Sequence, residues 1–150
     1  MREYAYDYID GKHVPPLVIT QDTTINGTHN GSVHLENGCL TITGTLNGSL
    51  NVQSNTKAII FGTQNGSVSI DDNALIVVNG SLNGSTHISK YATVVVEKDG
   101  KLAGSLSNNG KLIIRGVFGG SKSGHGEVIL EGNGYIKQPT IKNDASSYEW

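Results

Sequence analysis

A chain of 150 residues with a net charge of −2, 36% hydrophobic residues and one cysteine fits a single domain that buries its core without disulfides or metal. No run approaches the roughly 18 to 20 apolar residues that cross a bilayer, and the charge gives no general signal for nucleic acid. With Gly at 20 residues, aromatics at 6% and no helix-favouring runs of Ala, Leu, Glu and Lys, the composition favours β structure with many turns.

Residues 1–16, "MREYAYDYIDGKHVPP", read as an N-terminal tail or cap, with Tyr4, Tyr6, Tyr8 and Ile9 only partly patterned. Pro15 and Pro16 lack the N–H that a strand ladder needs, so they are expected to block strand addition at this end. From residue 17 the chain enters a repeat. The motif G-x-x-x-G begins at Gly27, Gly44, Gly62, Gly80, Gly100 and Gly116, with spacings of 17, 18, 18, 20 and 16 residues. Its second glycines are Gly31, Gly48, Gly66, Gly84, Gly104 and Gly120, and Gly134 opens an incomplete last unit. Self-similarity at a fixed period of this length is the signature of a solenoid.

Each unit predicts three short strands. Before each glycine pair lies a β-branched run, "CLTIT", "AIIF", "LIVV", "TVVV" or "LIIR", too short for a helix. Alternation puts Leu40 and Ile42, Ala58 and Ile60, Ile76 and Val78, Val94 and Val96, and Leu112 and Ile114 on one side. After the second glycine come Val33 and Leu35, Leu50 and Val52, Val68 and Ile70, and between the glycines Leu46, Leu82, Leu102 and Phe118. An extended residue spans about 3.3 Å, so 18 residues make a three-sided loop of roughly 20 Å per side. About six to seven such loops, stacked about 4.8 Å apart, predict a right-handed parallel β-helix over residues 17–138, a triangular solenoid near 30 Å long. Glycine is expected at the corners because it reaches positive φ, and the column Asn30, Asn47, Asn65 and Asn83 predicts a side-chain ladder. Residues 139–150 form a C-terminal tail in which Pro139 and "KNDASSYEW" are expected to blunt that end.

The units "GTLNGSL" and "GKLAGSL", the period near 18 and the late phenylalanine in "GVFGG" resemble the bactofilin domain over roughly residues 17 to 136. His29, Gln64 and Thr86 depart from the aliphatics that family prefers, and the usual membrane-targeting apolar start does not open this sequence. The resemblance implies a right-handed triangular β-helix of bacterial, polymer-forming cytoskeletal proteins that assemble end to end without nucleotide.

Residues that carry chemistry elsewhere find no partners in the pattern. His34 and His87 fall on one side but three units apart, about 15 Å, too far to share a metal ion; His13, His29 and His125 add no third ligand. The six-residue rule of left-handed acyltransferase helices, counted from Leu50, lands on Thr56 and Gly62 and fails. Asp71 and Asp72 in "SIDDNA" read as a turn rather than a calcium cluster, since adjacent strand residues face opposite ways. "GSKSGHGE" is a loop without triad geometry, "GSKSG" lacks the helix a phosphate loop opens, and the threonines form no T-x-T array for ice. No catalytic residue, cofactor or metal is therefore expected, and the chain is read as not an enzyme.

Function turns on the axial ends, where a solenoid presents unpaired strands and apolar columns. The leading expectation is a scaffold that stacks end to end, with Phe118 and Ile136 at one end and Leu17 and Ile19 at the other as the candidate interface. On that reading Phe118→Arg leaves a folded monomer. The second expectation is a capped, monomeric β-helix that binds one protein partner, such as an immunity protein that masks a toxin. Residues 1–56 carry five acids against two bases and residues 90–142 eight bases against four acids, so the C-terminal coils are a possible site for an anionic partner. Cys39 without a mate, and no charged segment leading into an apolar run, predict a reducing, cytoplasmic setting.

Overall fold

The computed structural model describes residues 7–9, 12–14, 17–136, 140–142 and 145–147, with side chains described from 17 to 136. The residues around Pro15, Pro16 and Pro139, and therefore the blocking roles expected of those prolines, lie outside the described residues. Strands Asp7–Ile9 and Lys12–Val14 pair antiparallel, as do Thr140–Lys142 and Ala145–Ser147. Between them the chain is a β-solenoid of three parallel sheets, each of seven strands. No helix occurs among the described residues, and none is long and apolar enough to cross a membrane.

Sheet I contains Thr23–Ile25, Cys39–Ile42, Lys57–Ile60, Leu75–Val78, Thr93–Val96, Lys111–Ile114 and Glu127–Leu130. Sheet II contains Thr28–His29, Thr45–Leu46, Thr63–Gln64, Ser81–Leu82, Lys101–Ala103, Val117–Gly119 and Tyr135–Ile136. Sheet III contains Leu17–Ile19, Val33–Leu35, Leu50–Val52, Val68–Ile70, Thr86–Ile88, Leu106–Asn108 and Lys122–Ser123. Each strand pairs with the equivalent one a coil earlier, Lys57 with Cys39 and Leu75 with Lys57, so sequence order is spatial order along the rod. The acidic and basic segments therefore lie toward opposite ends.

The interior is a set of stacked columns. In sheet I the column Ile25, Ile42, Ile60, Val78, Val96, Ile114 is buried throughout, and Leu40, Ala58, Ile76, Val94 and Leu112 form its neighbour. Sheet II contributes Leu46, Gln64, Leu82, Leu102 and Phe118, and sheet III Val33, Leu50, Val68, Thr86 and Leu106. Every apolar position expected inside is inside. At roughly 1.5 to 3 kcal/mol per buried large aliphatic side chain, these columns are the main source of stability. The polar members are only partly accommodated: Gln64 Nε2 donates to the carbonyls of Gly48 (3.0 Å) and Gly66 (3.1 Å), and Asn108 Nδ2 to that of Glu127 (3.0 Å), whereas Gln64 Oε1 and Thr86 Oγ1 are buried without a hydrogen-bond partner.

The corners differ from the sequence expectation in their physical reason. Of the corner glycines only Gly104 has positive φ, at 82°. The left-handed turns fall instead at Gly38, Asn55, Asn73 and Tyr91, on the edge between sheets III and I. Gly62 and its equivalents are needed because the coils touch there. A Cβ on Gly62 would overlap the Gly44 carbonyl oxygen and come within 2.8 Å of that of Thr43. The asparagine column is a ladder: Asn47 Nδ2 donates to Asn30 Oδ1 at 2.8 Å, Asn65 to Asn47 at 2.8 Å and Asn83 to Asn65 at 3.0 Å.

Candidate assembly surfaces

The two axial ends are unlike. At the N-terminal end Ile19 is 3% exposed and Ile25 9%, while the other inward positions of the first coil, Leu17, Thr23 and His29, are half-buried. At the C-terminal end the columns run out into solvent. Leu130 pairs with Ile114 in register and continues its column, yet is 53% exposed; Ile136 pairs with Phe118 and is 37% exposed, with Tyr135 beside it at 50%. Phe118 itself is only 2% exposed, enclosed within the chain beneath the last coil. Of the four proposed interface residues, then, Ile136 presents surface, whereas Ile19 and Phe118 are core. Sequence reasoning missed Leu130 and Tyr135; their signal was the column register, which ends there with no further parallel strand among the described residues.

The last coil also breaks the apolar pattern. Lys122 pairs with Leu106, so a lysine stands where the inward column of sheet III would continue. Lys122 is exposed there, and a charge is one way an exposed strand edge resists indiscriminate pairing. Nearby, Arg115 is held between Glu97 and Glu131, each at 2.8 Å. The hydrogen bond to Glu131, reinforced by the charges of Glu97 and Glu131, raises the Arg115 pKa further above its ordinary value. A raised folded-state pKa stabilises below the unfolded value and is lost only on crossing the folded one. For arginine both lie far above neutral, so this group adds no pH dependence in the ordinary range. The trio is solvent-exposed, and Arg115→Ala is expected to leave the thermal midpoint nearly unchanged, as calorimetry would show.

The lateral faces carry no cluster for metal among the described residues. His34 lies beside Asn51, at 3.3 Å, and is three strands from His87 in one column of sheet III, His34–Asn51–Ser69–His87. Asp72 accepts a hydrogen bond from Ser54 at 2.7 Å, as a turn residue does. Sheet III bears a shallow depression of about 440 Å³ lined by Ser67, Ser69, Ser85, His87, Ser105 and Ser107 among others. It holds hydroxyls but no grouping of nucleophile, base and orienter. At the edge between sheets III and I, Tyr91 is 68% exposed with Lys90 Nζ 5.1 Å from its ring centre. Cys39 is half-buried, and its backbone N–H donates to Asp22 Oδ1 at 2.9 Å.

The exterior of sheet I is different in kind. Its central outward column reads Thr24, Thr41, Ile59, Val77, Val95, Ile113, Ile129, in continuous register and all but Thr24 half-buried. The matching column outside sheet II begins Thr28, Thr45, Thr63, Ser81 and Lys101. Sequence analysis assigned the inward half of each apolar run and overlooked the outward half, although runs such as "LIVV" and "TVVV" announce both.

Comparison with family models, with curated proteins and with solved structures gave no match.

Proposed function

We propose that the protein is a non-enzymatic scaffold rod that self-associates end to end through its C-terminal coil without nucleotide, as one contact of a larger assembly, the behaviour its bactofilin-like repeat implies. One observation carries the reading. Of the five exposed large hydrophobics among the described residues, Phe61, Tyr91, Leu130, Tyr135 and Ile136, three belong to the last coil. Apolar surface concentrated where, among the described residues, the parallel strands also lack a further neighbour is the arrangement an end-on contact uses.

The test is the double variant Leu130→Arg with Ile136→Arg, compared with the parent by sedimentation across a concentration series. Both side chains project beyond the packed columns, so circular dichroism and the melting transition are expected to stay close to the parent's while the large assemblies disappear. Salt supplies a second readout. Residues 90–136 carry more lysine and arginine than acid, so joining two C-terminal ends brings like charge together. Assemblies are then expected to grow as salt rises from about 0.05 to 0.5 M and screens that repulsion. A parent that stays monomeric at high concentration overturns the proposal. It would favour a capped β-helix that binds one protein, such as an immunity protein, a reading supported by the buried Ile19 and Ile25 and by Lys122 at the end of the sheet III column.

A further inference from the structure

A rod with one adhesive end stops growing once two ends have met. Continued growth needs a second contact, and the outer face of sheet I has the composition of one. Strands covered on both faces read as continuous apolar runs, whereas strands with one wet face alternate. "AIIF", "LIVV", "TVVV" and "LIIR" are of the first kind, yet their outward residues Ile59, Val77, Val95 and Ile113 are only half-buried. Preference of β-branched residues for a pleated surface explains their type but not their restriction to one face, since the outward columns of sheets II and III are mainly hydroxyl, amide and imidazole.

We infer that the outer face of sheet I pairs two copies of this chain side by side and antiparallel, with a two-fold axis through Val95. The occupant and its register follow from charge. Beside the apolar column runs a second outward column, Cys39, Lys57, Leu75, Thr93, Lys111, Glu127. When two such faces meet antiparallel, each column faces its own reversed copy. Centred on Val95, Ile59 meets the second copy's Ile129, Val77 meets its Ile113, and Lys57 meets its Glu127, twice by symmetry. Moving the axis half a coil toward Val77 sets Lys57 against the other Lys111. Parallel pairing instead brings this column against the opposite flank, Lys111 against Arg115 and Glu127 against Glu131. Only the Val95 register joins all five apolar residues and opposes unlike charges at the Lys57 flank; at the other flank Glu97 meets its own copy, each carboxylate already paired with Arg115. In this register five of the seven strands overlap, about 20 Å by the strand spacing, and the contact covers on the order of 300 Å² per copy, below the size of a standard specific contact. The pairing is therefore weak alone and is effective when the C-terminal contact already holds copies together.

This contact is independent of the C-terminal one and is tested without it, in the Leu130→Arg, Ile136→Arg background, so that failure of one leaves the other standing. Cys39→Ser removes the native thiol, and Val95→Cys then places a thiol on the proposed axis. Treated with a short bismaleimide, which spans the roughly 10 Å between stacked sheets, that variant is expected to form a covalently linked dimer at least about tenfold faster than Thr63→Cys, a control on sheet II. In sedimentation, Lys57→Glu alone or Glu127→Lys alone is expected to weaken the dimer about tenfold, and the double reversal to restore it. Restoration is a readout that nonspecific stickiness does not produce. Equal cross-linking from the two faces, or single and double reversals that behave alike, would overturn the inference. So would a Val95→Cys chain that cross-links only with an unrelated protein.

Discussion

Gly62→Val is expected to unfold the rod's centre or to cost roughly 3 kcal/mol or more, read as a fall in the denaturant midpoint. The new Cβ would occupy the space of the Gly44 carbonyl oxygen, and the neighbouring backbone has no slack to give. That carbonyl accepts from Thr63 N–H at 2.9 Å, while Phe61 and Gly62 N–H both donate to the Ile42 carbonyl, at 2.8 and 2.9 Å. Pushing the coils apart sacrifices these bonds together. The effect does not arise from φ, because Gly62 is not in the left-handed region. Gly27 provides the control: nothing lies within 4 Å of a Cβ built there, so Gly27→Ala should be nearly neutral. Equal effects at the two positions would show that corner flexibility, rather than coil contact, is what these glycines supply.

Phe118→Ala is expected to destabilise the fold by about 3 to 5 kcal/mol, and Phe118→Arg to abolish the cooperative melt rather than yield a folded monomer. The ring is 2% exposed, paired in register with Leu102 below and Ile136 above. Truncation leaves a cavity that the stacked strands cannot close without breaking their ladders. A folded Phe118→Arg protein that has merely lost its assemblies would restore the earlier expectation and place the interface at this ring. The difference between the two variants at Phe118 and the paired ones at Leu130 and Ile136 separates core from contact surface.

The fold was legible because the repeat states it redundantly. A period near 18 with three alternating segments per unit leaves little choice but three parallel sheets, and the inward columns from Leu40 to Ile114 follow from a period of two. Less was legible at the surfaces. Burial of Ile19 and Phe118 depends on what lies above and below them, which a repeat counted unit by unit does not reveal. The reason for glycines such as Gly62 was not legible, since close approach of two backbones and a left-handed turn leave the same residue in the sequence. The positive φ values at Asn55, Asn73 and Tyr91 occur outside the motif that drew attention. The outer stripe of sheet I was visible in "LIVV" and was passed over because one face of each run sufficed to explain the core.

The asparagine ladder has a bearing on how long such a rod lasts. Each of its rungs, Asn30, Asn47, Asn65 and Asn83, is followed by glycine, the sequence in which an asparagine amide is most readily lost to attack by the next backbone nitrogen. Asparagine is among the residues that limit endurance at high temperature. Here each amide NH2 from Asn47 onward is tied to the carbonyl oxygen of the rung before it, which holds the side chain against the geometry that attack requires. One lapse weakens the next, because an aspartate in the column replaces a donor with a negative charge and loosens the adjoining rung. Chemical ageing in this protein would therefore spread along one edge of the rod, and an intact ladder is the protection against its beginning.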